Sequence, residues 1–180
     1  MDQLNVPSRN CPGFQQASTA GAIENRNILS GGLKNAGQLL NRMLTAVGLD
    51  RNTDCYLSNI VHCRPPGNRI PDSEESKRCG VIVKNEILII QPKVIFAVGG
   101  TAAGFLLGRQ VFMTKENGAH YDYVSDMGDF KTLLVPIYHP AFIVRKGNSP
   151  EASDLKRSLG DAVREGLRAI NHPKLRERPK

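Results

Sequence analysis

Two short segments of the chain each place polar, chemically capable side chains at the end of an apolar run. Residues 55–71 read CYLSNIVHCRPPGNRIP, with an amide at Asn59, a thiol at Cys63 and then a loop rich in Arg and Pro. Residues 135–145 read VPIYHPAFIVR, with an imidazole at His139. Because α/β proteins place their chemistry at strand ends, we expect the two loops to form opposite sides of one site.

Basic side chains in these loops indicate that the ligand is a nucleic acid. The chain carries 24 Lys and Arg against 17 Asp and Glu, which gives a net charge of +7 and a pI near 9.4. That balance suits a polyanionic partner, although composition alone fits a merely basic protein equally well. The distribution favours the first interpretation, because Arg64, Arg69 and Arg145 all fall in the two loops.

The length and composition fit a single cytoplasmic domain. At 180 residues, of which 40% are hydrophobic, the chain is long enough to bury a core. No apolar run approaches the roughly 20 residues of a membrane span. The first residues, MDQLNVPSRN, lack the apolar stretch of a secretory signal. We therefore expect a cytoplasmic protein with no membrane partner.

The cysteine pattern by itself gives little support to a metal site. In a reducing compartment, thiols are more often free or metal-bound than paired in disulfides. No CxxC pair occurs, so spacing alone favours ordinary thiols. The four cysteines are Cys11, Cys55, Cys63 and Cys79.

Helical and strand patterns alternate along the chain and must position the two loops. Apolar residues recur with helical spacing in some segments, and β-branched residues cluster in others. Strands that alternate with helices indicate an α/β fold whose parallel or mixed sheet is covered on both faces. Ser73 is the expected cap of the second helix. Helices are predicted over residues 34–47, 76–90 and 150–170, and strands over residues 56–61, 93–98, 121–124 and 131–137.

The sequence VGGTAAG at residues 98–104 has two interpretations. A dinucleotide-binding loop is one of them, but the pattern is not GxGxxG and no convincing acidic ribose partner follows. A tight turn from a strand into a helix explains the glycines more simply. A nucleotide-binding enzyme is therefore a weak alternative.

From about residue 34 to residue 170, the order of motifs resembles the family 4 uracil-DNA glycosylases, the iron–sulfur type. The matching segments are NAGQLLNRML, YLSNIVHCRPPGNRIP, PKVIFAVGGTAAGFLLG and YHPAFIVR. The resemblance implies a three-layer α/β/α sandwich around a central, mostly parallel, four-stranded sheet, and a function on DNA. It also divides the chain into a divergent segment over residues 1–33, a glycosylase-like domain over residues 34–170 and a basic tail over residues 171–180.

The resemblance implies roles for the polar residues of both loops. Asn59 matches the amide that hydrogen-bonds a flipped uracil, and an amide can both donate to and accept from a base edge. His139 matches the imidazole that donates to uracil O2 as the base departs with negative charge. The alternatives are an Asn that satisfies a local turn and a buried His that is satisfied by backbone.

Further residues of the two loops match groups that contact DNA. Apolar side chains after His139 lie where the family inserts a wedge into the duplex, although each could equally belong to the core. Basic side chains would contact phosphates and supply affinity, although each alone could be a solvated charge. The wedge candidates are Phe142, Ile143 and Val144, and the phosphate contacts are Arg64, Arg69 and Arg145.

The same resemblance implies a possible 4Fe–4S cluster, which thiolates would hold. Cys63 and Cys79 match two of the family's ligands, and Cys11 is the remaining candidate. Cys55 is expected to be a small buried side chain rather than a ligand. In the family the cluster braces the loop between its ligands and is not catalytic.

Residues 1–33 depart from the family pattern. The CxxC pair, the GEAPG-like motif and the PFVG segment are not intact there. The acidic residue that positions the attacking water would fall on Thr19, and Glu24 is the nearby carboxylate. The stacking aromatic would fall on Gly32, and Phe14 is the possible substitute.

Two functions therefore follow from the sequence. The first is a repair glycosylase that flips uracil out of single- or double-stranded DNA and hydrolyses its N-glycosidic bond, leaving an abasic site. The second is a catalytically impaired module with the same fold that binds DNA or a protein of a replication or repair complex. The intact Asn59 and His139 loops favour the first, and the altered residues 1–33 favour the second.

Overall fold

The computed structural model of the protein describes residues 34–63, residue 65 and residues 69–175. Glu24, Cys11, Phe14, Arg64 and the tail from residue 176 onward lie outside these described residues. Among the described helices, none is long and apolar enough to cross a membrane.

Helices and strands are interspersed along the described chain, which confirms the α/β prediction. Their bounds agree with the predicted segments to within a few residues, except at residues 56–61. In chain order they are α1 (Lys34–Ala46), α2 (Ser73–Ile90), β1 (Val94–Val98), α3 (Gly100–Leu107), α4 (Met113–Glu116), β2 (Tyr121–Val124), β3 (Lys131–Ile137), α5 (Pro140–Arg145) and α6 (Pro150–Ala169).

The sheet of the described residues has three strands in the order β1-β3-β2. β1 runs parallel to β3, with Val94 opposite Leu133 and Val98 opposite Ile137. β2 pairs antiparallel with the other edge of β3. The sheet is therefore mixed, and it differs from the mostly parallel, four-stranded sheet that the resemblance implies.

The predicted strand at residues 56–61 is absent from this sheet. The segment carries no strand assignment, although its central residue Ile60 is buried. A strand exists only through ladder hydrogen bonds to a neighbour, and no described strand pairs with this segment. The predicted burial holds for Ile60 but not for Tyr56, which is 60% exposed.

Both faces of the sheet are covered by helices. Successive residues of a strand point to opposite faces, and neighbours Leu134 and Val135 on β3 are both fully buried but belong to different core clusters. Val135 packs in the cluster formed with α1, α5 and α6. Leu134 packs in the cluster formed with α2 and α3. The result is an α/β/α arrangement with β3 at its centre.

Capping residues fix where two of the long helices begin. Asp72, rather than the expected Ser73, caps α2. Its carboxylate accepts from the Glu75 N–H at 2.8 Å, and the Glu75 carboxylate accepts from the Asp72 N–H at 3.0 Å. This reciprocal pair is a capping box. Ser149 caps α6 by accepting from the Ala152 N–H at 3.1 Å.

Candidate nucleic-acid site

His139 lies just beyond the carboxyl end of the central strand β3, where it caps helix α5. Its Nδ1 accepts a hydrogen bond from the Ala141 N–H at 3.1 Å, and Pro140 occupies the first turn of the helix. Proline suits that position because its fixed φ is helical and it has no N–H to satisfy. An accepting Nδ1 carries no proton, so in the neutral ring the proton resides on Nε2. The geometry thus leaves one directed donor.

The surroundings of His139 favour this neutral form. Burial lowers the pKa of His139 below its ordinary value, and the positive charge of Arg145 lowers it further. Both effects penalise the imidazolium, because one removes water and the other adds a like charge. The residue is therefore a neutral donor at pH 7.

The glycine turn after β1 packs directly against the His139 side chain. Gly99 has a φ of 89° and donates its N–H to the Ile137 carbonyl at 2.8 Å. A Cβ at Gly99 would lie 3.2 Å from the His139 Cβ. Helix α3 begins at the next residue, Gly100. The predicted tight turn is confirmed, and it forms one wall beside the imidazole.

Asn117 holds the chain immediately before His139. Its Oδ1 accepts from the Tyr138 N–H at 2.8 Å, and its Nδ2 donates to the Ser158 hydroxyl of α6 at 2.9 Å. One amide therefore ties the end of β3 to the covering helix. Sequence reasoning missed Asn117, because an Asn in a loop signals no particular long-range partner.

Glu86 of helix α2 anchors the loop that carries Asn59. Its Oε1 accepts from the Tyr56 hydroxyl at 2.9 Å, and its Oε2 accepts from the Ser58 hydroxyl. The Nε2 of His62 lies 3.9 Å from the same carboxylate. Glu86 was also missed. A signal existed, since this charged residue lies next to the buried Ile87 on the inward side of its helix.

The Asn59 amide is available to a ligand. The side chain is half-buried, and it makes no hydrogen bond to another residue of the described chain. Its neighbours on both sides are fixed, by Glu86 at Ser58 and by the core at Ile60. A free amide on a fixed loop can offer one donor and one acceptor to a base edge.

Both loops pack against the same core cluster. Leu57 of the first loop and Tyr138 of the second are partly buried against the cluster around β3 and α6. That the two loops form opposite sides of one site stays a prediction. His62 and His120 are exposed, as expected for histidines without a matching motif.

The basic residues of the loops differ in how far their charge is offset. The Arg69 guanidinium forms a two-pronged pair with Glu75, at 2.8 and 2.7 Å, and this pair raises the pKa of Arg69. Arg145 is exposed and has no ion-pair partner among the described residues. Of the two, Arg145 keeps an unpaired charge close to His139.

The three wedge candidates occupy different environments. Ile143 is fully buried in the core and presents no surface to a ligand. Phe142 is half-buried, with its ring centroid 6.0 Å from that of Tyr138 and the Lys146 Nζ 5.5 Å from its centre. Val144 is half-buried as well. Only Phe142 and Val144 therefore keep side-chain surface for contact.

The described cysteines do not make up a cluster site. Cys63 is half-buried and Cys79 is buried, and no group of three metal-binding side chains occurs among the described residues. Cys55 packs against the core, and burial raises the pKa of its thiol, as do Asp54 and Asp50. A raised pKa opposes the thiolate that an iron ligand requires. The described residues thus supply two of the four thiolates that such a cluster takes.

Comparison with known proteins places the chain in a family. Residues 19–161 match the model of the uracil DNA glycosylase superfamily. The type-4 uracil-DNA glycosylase of Thermotoga maritima is 40% identical over 111 residues, which are 61% of this chain and 55% of that protein. That of Archaeoglobus fulgidus is 36% identical over 126 residues, 68% of this chain and 63% of that protein.

A segment of a different kind of protein is similar as well. The DNA polymerase of Bacillus phage SP01 is 30% identical over 111 residues, 62% of this chain but 11% of that protein. The chain spans between half and two thirds of the length of the curated glycosylases it matches. Since the family model covers most of the chain, the protein belongs to the uracil DNA glycosylase superfamily.

Proposed function

We propose that the protein removes uracil from DNA by hydrolysing the N-glycosidic bond, with His139 as the group that stabilises the departing base. The observation that carries this proposal is the imidazole itself, which is neutral, fixed through Nδ1 and left with one donor at Nε2. Relatives named type-4 uracil-DNA glycosylases support the substrate.

The reaction requires no covalent enzyme intermediate. The bond between C1′ of the sugar and N1 of uracil breaks, and its electron pair leaves with the base, where charge gathers on O2. Water then bonds to C1′, and the proton it gives up neutralises the uracil anion, directly or through a carboxylate. A donor aimed at O2 stabilises the charge only as it develops, which is the condition for lowering the barrier.

Asn59 would identify the base. Uracil presents a carbonyl and an N–H at neighbouring positions of its Watson–Crick edge, so an amide can accept from one and donate to the other. Cytosine presents a different order of donors and acceptors. The absence of a competing partner for Asn59 within the described chain supports this role.

Glu24 is the proposed carboxylate for positioning the attacking water. It lies outside the described residues, so the proposal rests on the sequence alone. The transition state is dissociative, so water can attack the sugar without a perfectly placed base. Loss of a general base slows such reactions roughly 10²- to 10⁴-fold, which would still leave measurable excision.

Contacts to DNA are proposed for the exposed side chains around His139. Arg145 would bind a phosphate, and Arg64 would do so from the other loop, whereas Arg69 would act mainly by holding its loop to Glu75. Phe142 or Val144 would fill the space that the extruded base leaves.

We also propose a further strand for the sheet, which has three strands among the described residues. β1 has β3 as its neighbour among the described strands, so its other edge is the place for a further parallel strand. A strand from residues 1–33 at that edge would also give residues 56–61 a partner. Such a sheet would leave no buried ladder group unpaired.

A 4Fe–4S cluster fits incompletely, and no chemical step is assigned to it. Cys63 and Cys79 would be two of its ligands, and Cys11 the third. When bound, it would brace the loop from residue 63 to residue 79.

The proposal is tested by excision from oligonucleotides that carry one uracil, in single- and double-stranded form. Wild type is compared with His139→Ala, and abasic sites are revealed by alkaline cleavage. We expect cleavage by wild type and a loss of roughly 10²- to 10³-fold in the variant, with DNA binding preserved. Equal rates for the two proteins would overturn the role of His139, and no excision by wild type would overturn the activity.

One observation favours a second function, a non-catalytic module of a larger assembly. The similar segment of the phage SP01 DNA polymerase makes up 11% of that protein, so a unit like this one occurs within a longer chain. The module would bind DNA with a steep salt dependence and no preference for uracil. If DNA binding is absent at low salt, a replication or repair protein becomes the proposed partner.

A further inference from the structure

Helices α1 and α6 enclose a pocket away from the two loops that carry Asn59 and His139. Its volume is about 400 Å³. The floor is apolar and includes Leu39, Met43 and Val47. The remaining side chains that line it include four cations, Arg42, Lys156, Arg157 and Arg164.

Arg164 is the buried member of this group. Its side chain is 11% exposed, and its Nη1 lies 3.5 Å from the Asp161 carboxylate. Its Nε is buried and has no hydrogen-bond partner among the described residues. A buried donor without a partner is costly, and in native structures it commonly marks the place of an ion or a water.

Gly160 provides room at the wall of the pocket. A Cβ at this position would lie 3.4 Å from the Arg164 Nη1, at the edge of contact. Glycine inside a helix is unfavourable by itself, which calls for a local reason. Gly160 keeps this wall of the pocket small, although a Cβ there would make only ordinary contact with the end of the flexible Arg164 side chain.

The local charge of the pocket is positive. Asp154 lies 3.5 Å from Arg157, and Asp161 lies 3.5 Å from Arg164, so two carboxylates face four cations. Within the described chain, neither Arg42 nor Lys156 has a carboxylate at ion-pair distance. Two positive charges are therefore not offset. A doubly charged anion would balance them.

We propose that this pocket binds a phosphate group, either of a DNA strand or of a free nucleotide. Guanidinium groups match phosphate in charge and in the spacing of donors, and Arg42 and Arg164 approach from different helices. The apolar floor would receive the sugar or base attached to that phosphate. This site would act independently of uracil recognition, so it does not rest on the proposed function.

The test uses inorganic phosphate and calorimetric titration at constant ionic strength set with chloride. The double variant Arg42→Gln/Lys156→Gln removes two exposed cations and leaves the core intact, and Arg164→Gln removes the buried one. Arg168→Gln, on the same helix but outside the pocket lining, is the matched control. We expect binding to wild type and to the control, and a loss of about tenfold in affinity in the double variant. Equal affinity in all four proteins would overturn the proposal.

Two further arms identify the source of the phosphate. A uracil-free oligothymidylate is titrated at several salt concentrations, and deoxyadenosine monophosphate is titrated alongside it. If DNA supplies the phosphate, the double variant lowers the salt slope for the oligonucleotide by about 1 and inorganic phosphate competes with it. If a free nucleotide supplies it, the monophosphate loses affinity in the variant while the oligonucleotide does not. Because uracil is absent, failure here leaves the excision experiment unaffected.

Discussion

Gly99 and His139 are in contact across the ends of two parallel strands, and a Cβ on Gly99 would lie 3.2 Å from the His139 Cβ. Gly99 also has a φ of 89°, which side chains with a Cβ adopt at a cost. The position of the imidazole therefore depends on a glycine 40 residues earlier in the chain.

The first prediction follows from this contact. Gly99→Ala should destabilise the protein by about 1–3 kcal/mol through the unfavourable φ. It should also displace the imidazole and slow uracil excision by about tenfold to 10²-fold. Gly100→Ala is the matched control, because a Cβ there has its nearest neighbour at 3.6 Å and its φ is not positive. Similar losses in both variants, in melting temperature and in rate, would refute the contact argument.

The second prediction concerns pH. The folded pKa of His139 is lowered, so folding favours the neutral ring. The stabilisation is complete above the unfolded pKa near 6.5 and is lost as the pH falls from there toward the folded pKa. His139→Asn retains a side chain that can cap the helix and removes the titration. We expect melting curves to show a shallower fall in stability below pH 6.5 for this variant than for wild type.

An NMR titration of the ring provides the direct measurement. Excision that depends on the neutral imidazole should persist below pH 6.5 until the folded pKa is reached. A midpoint at or above the ordinary histidine value would contradict both the burial argument and the predicted pH profile.

The third prediction concerns Glu86. Glu86→Ala removes the acceptor for Tyr56 and Ser58, so stability should fall by about 1 kcal/mol per hydrogen bond lost. Hydrogen exchange should rise at residues 56–62 and stay unchanged in β3. Glu86→Gln keeps one acceptor, so its stability and hydrogen exchange should lie between those of wild type and Glu86→Ala. Glu165→Ala, which removes the exposed partner of Arg168, should leave the exchange of this loop as it is.

The fourth prediction concerns a polar network at the edge of the sheet. The Glu116 carboxylate accepts from Arg109 and from the Tyr121 hydroxyl, each at 2.6 Å, and these bonds lower the pKa of Glu116 to about 2. The stabilisation is present above the ordinary value of 4.5 and is lost as the pH falls toward 2. Glu116→Gln should therefore flatten the dependence of melting temperature on pH in that range. An unchanged slope would show that the hydrogen bonds to Glu116 do not cause the pH dependence of stability in this range.

The fifth prediction concerns iron. If a cluster is bound, the purified protein contains iron and absorbs visible light, and Cys79→Ser lowers both signals. Cys55→Ser is the control, because Cys55 packs in the core and its thiol has a raised pKa. Iron-free protein that retains full excision activity would show that the proposed function does not require a cluster. Equal losses in both variants would indicate misfolding instead.

Local patterns were enough to predict most elements of the described fold. β3 at residues 131–137 and β2 at residues 121–124 have the predicted bounds, because runs of β-branched, aromatic and other apolar residues bounded by polar turns carry a local signal. In helix α6, the apolar residues that recur with helical spacing face the core, since Leu159, Val163 and Leu167 are buried. These features depend on the periodicity of apolar residues, which can be read within a short stretch of sequence.

Features that depend on distant partners could not be predicted in this way. The strand expected at residues 56–61 needs a neighbour that its own residues do not specify. The cap of α2 is Asp72 rather than Ser73, because the choice depends on which side chain reaches the Glu75 N–H. Within the site, Asn59 and His139 came from motif resemblance, whereas the partners of Glu86 and Asn117 lie 28 and 21 residues away and could not be read from local sequence.

The edge of β1 that has no neighbour among the described strands has a consequence for handling the protein. Its sequence, VIFAV, combines high β propensity with no charge, and the strand is only half-buried among the described residues. An uncharged edge of this kind recruits strands from other molecules. If residues 1–33 supply the proposed neighbouring strand, a shortened chain that begins at residue 34 would present this edge to its copies in solution. Aggregation, rather than loss of chemistry, is the first change to expect from such a truncation.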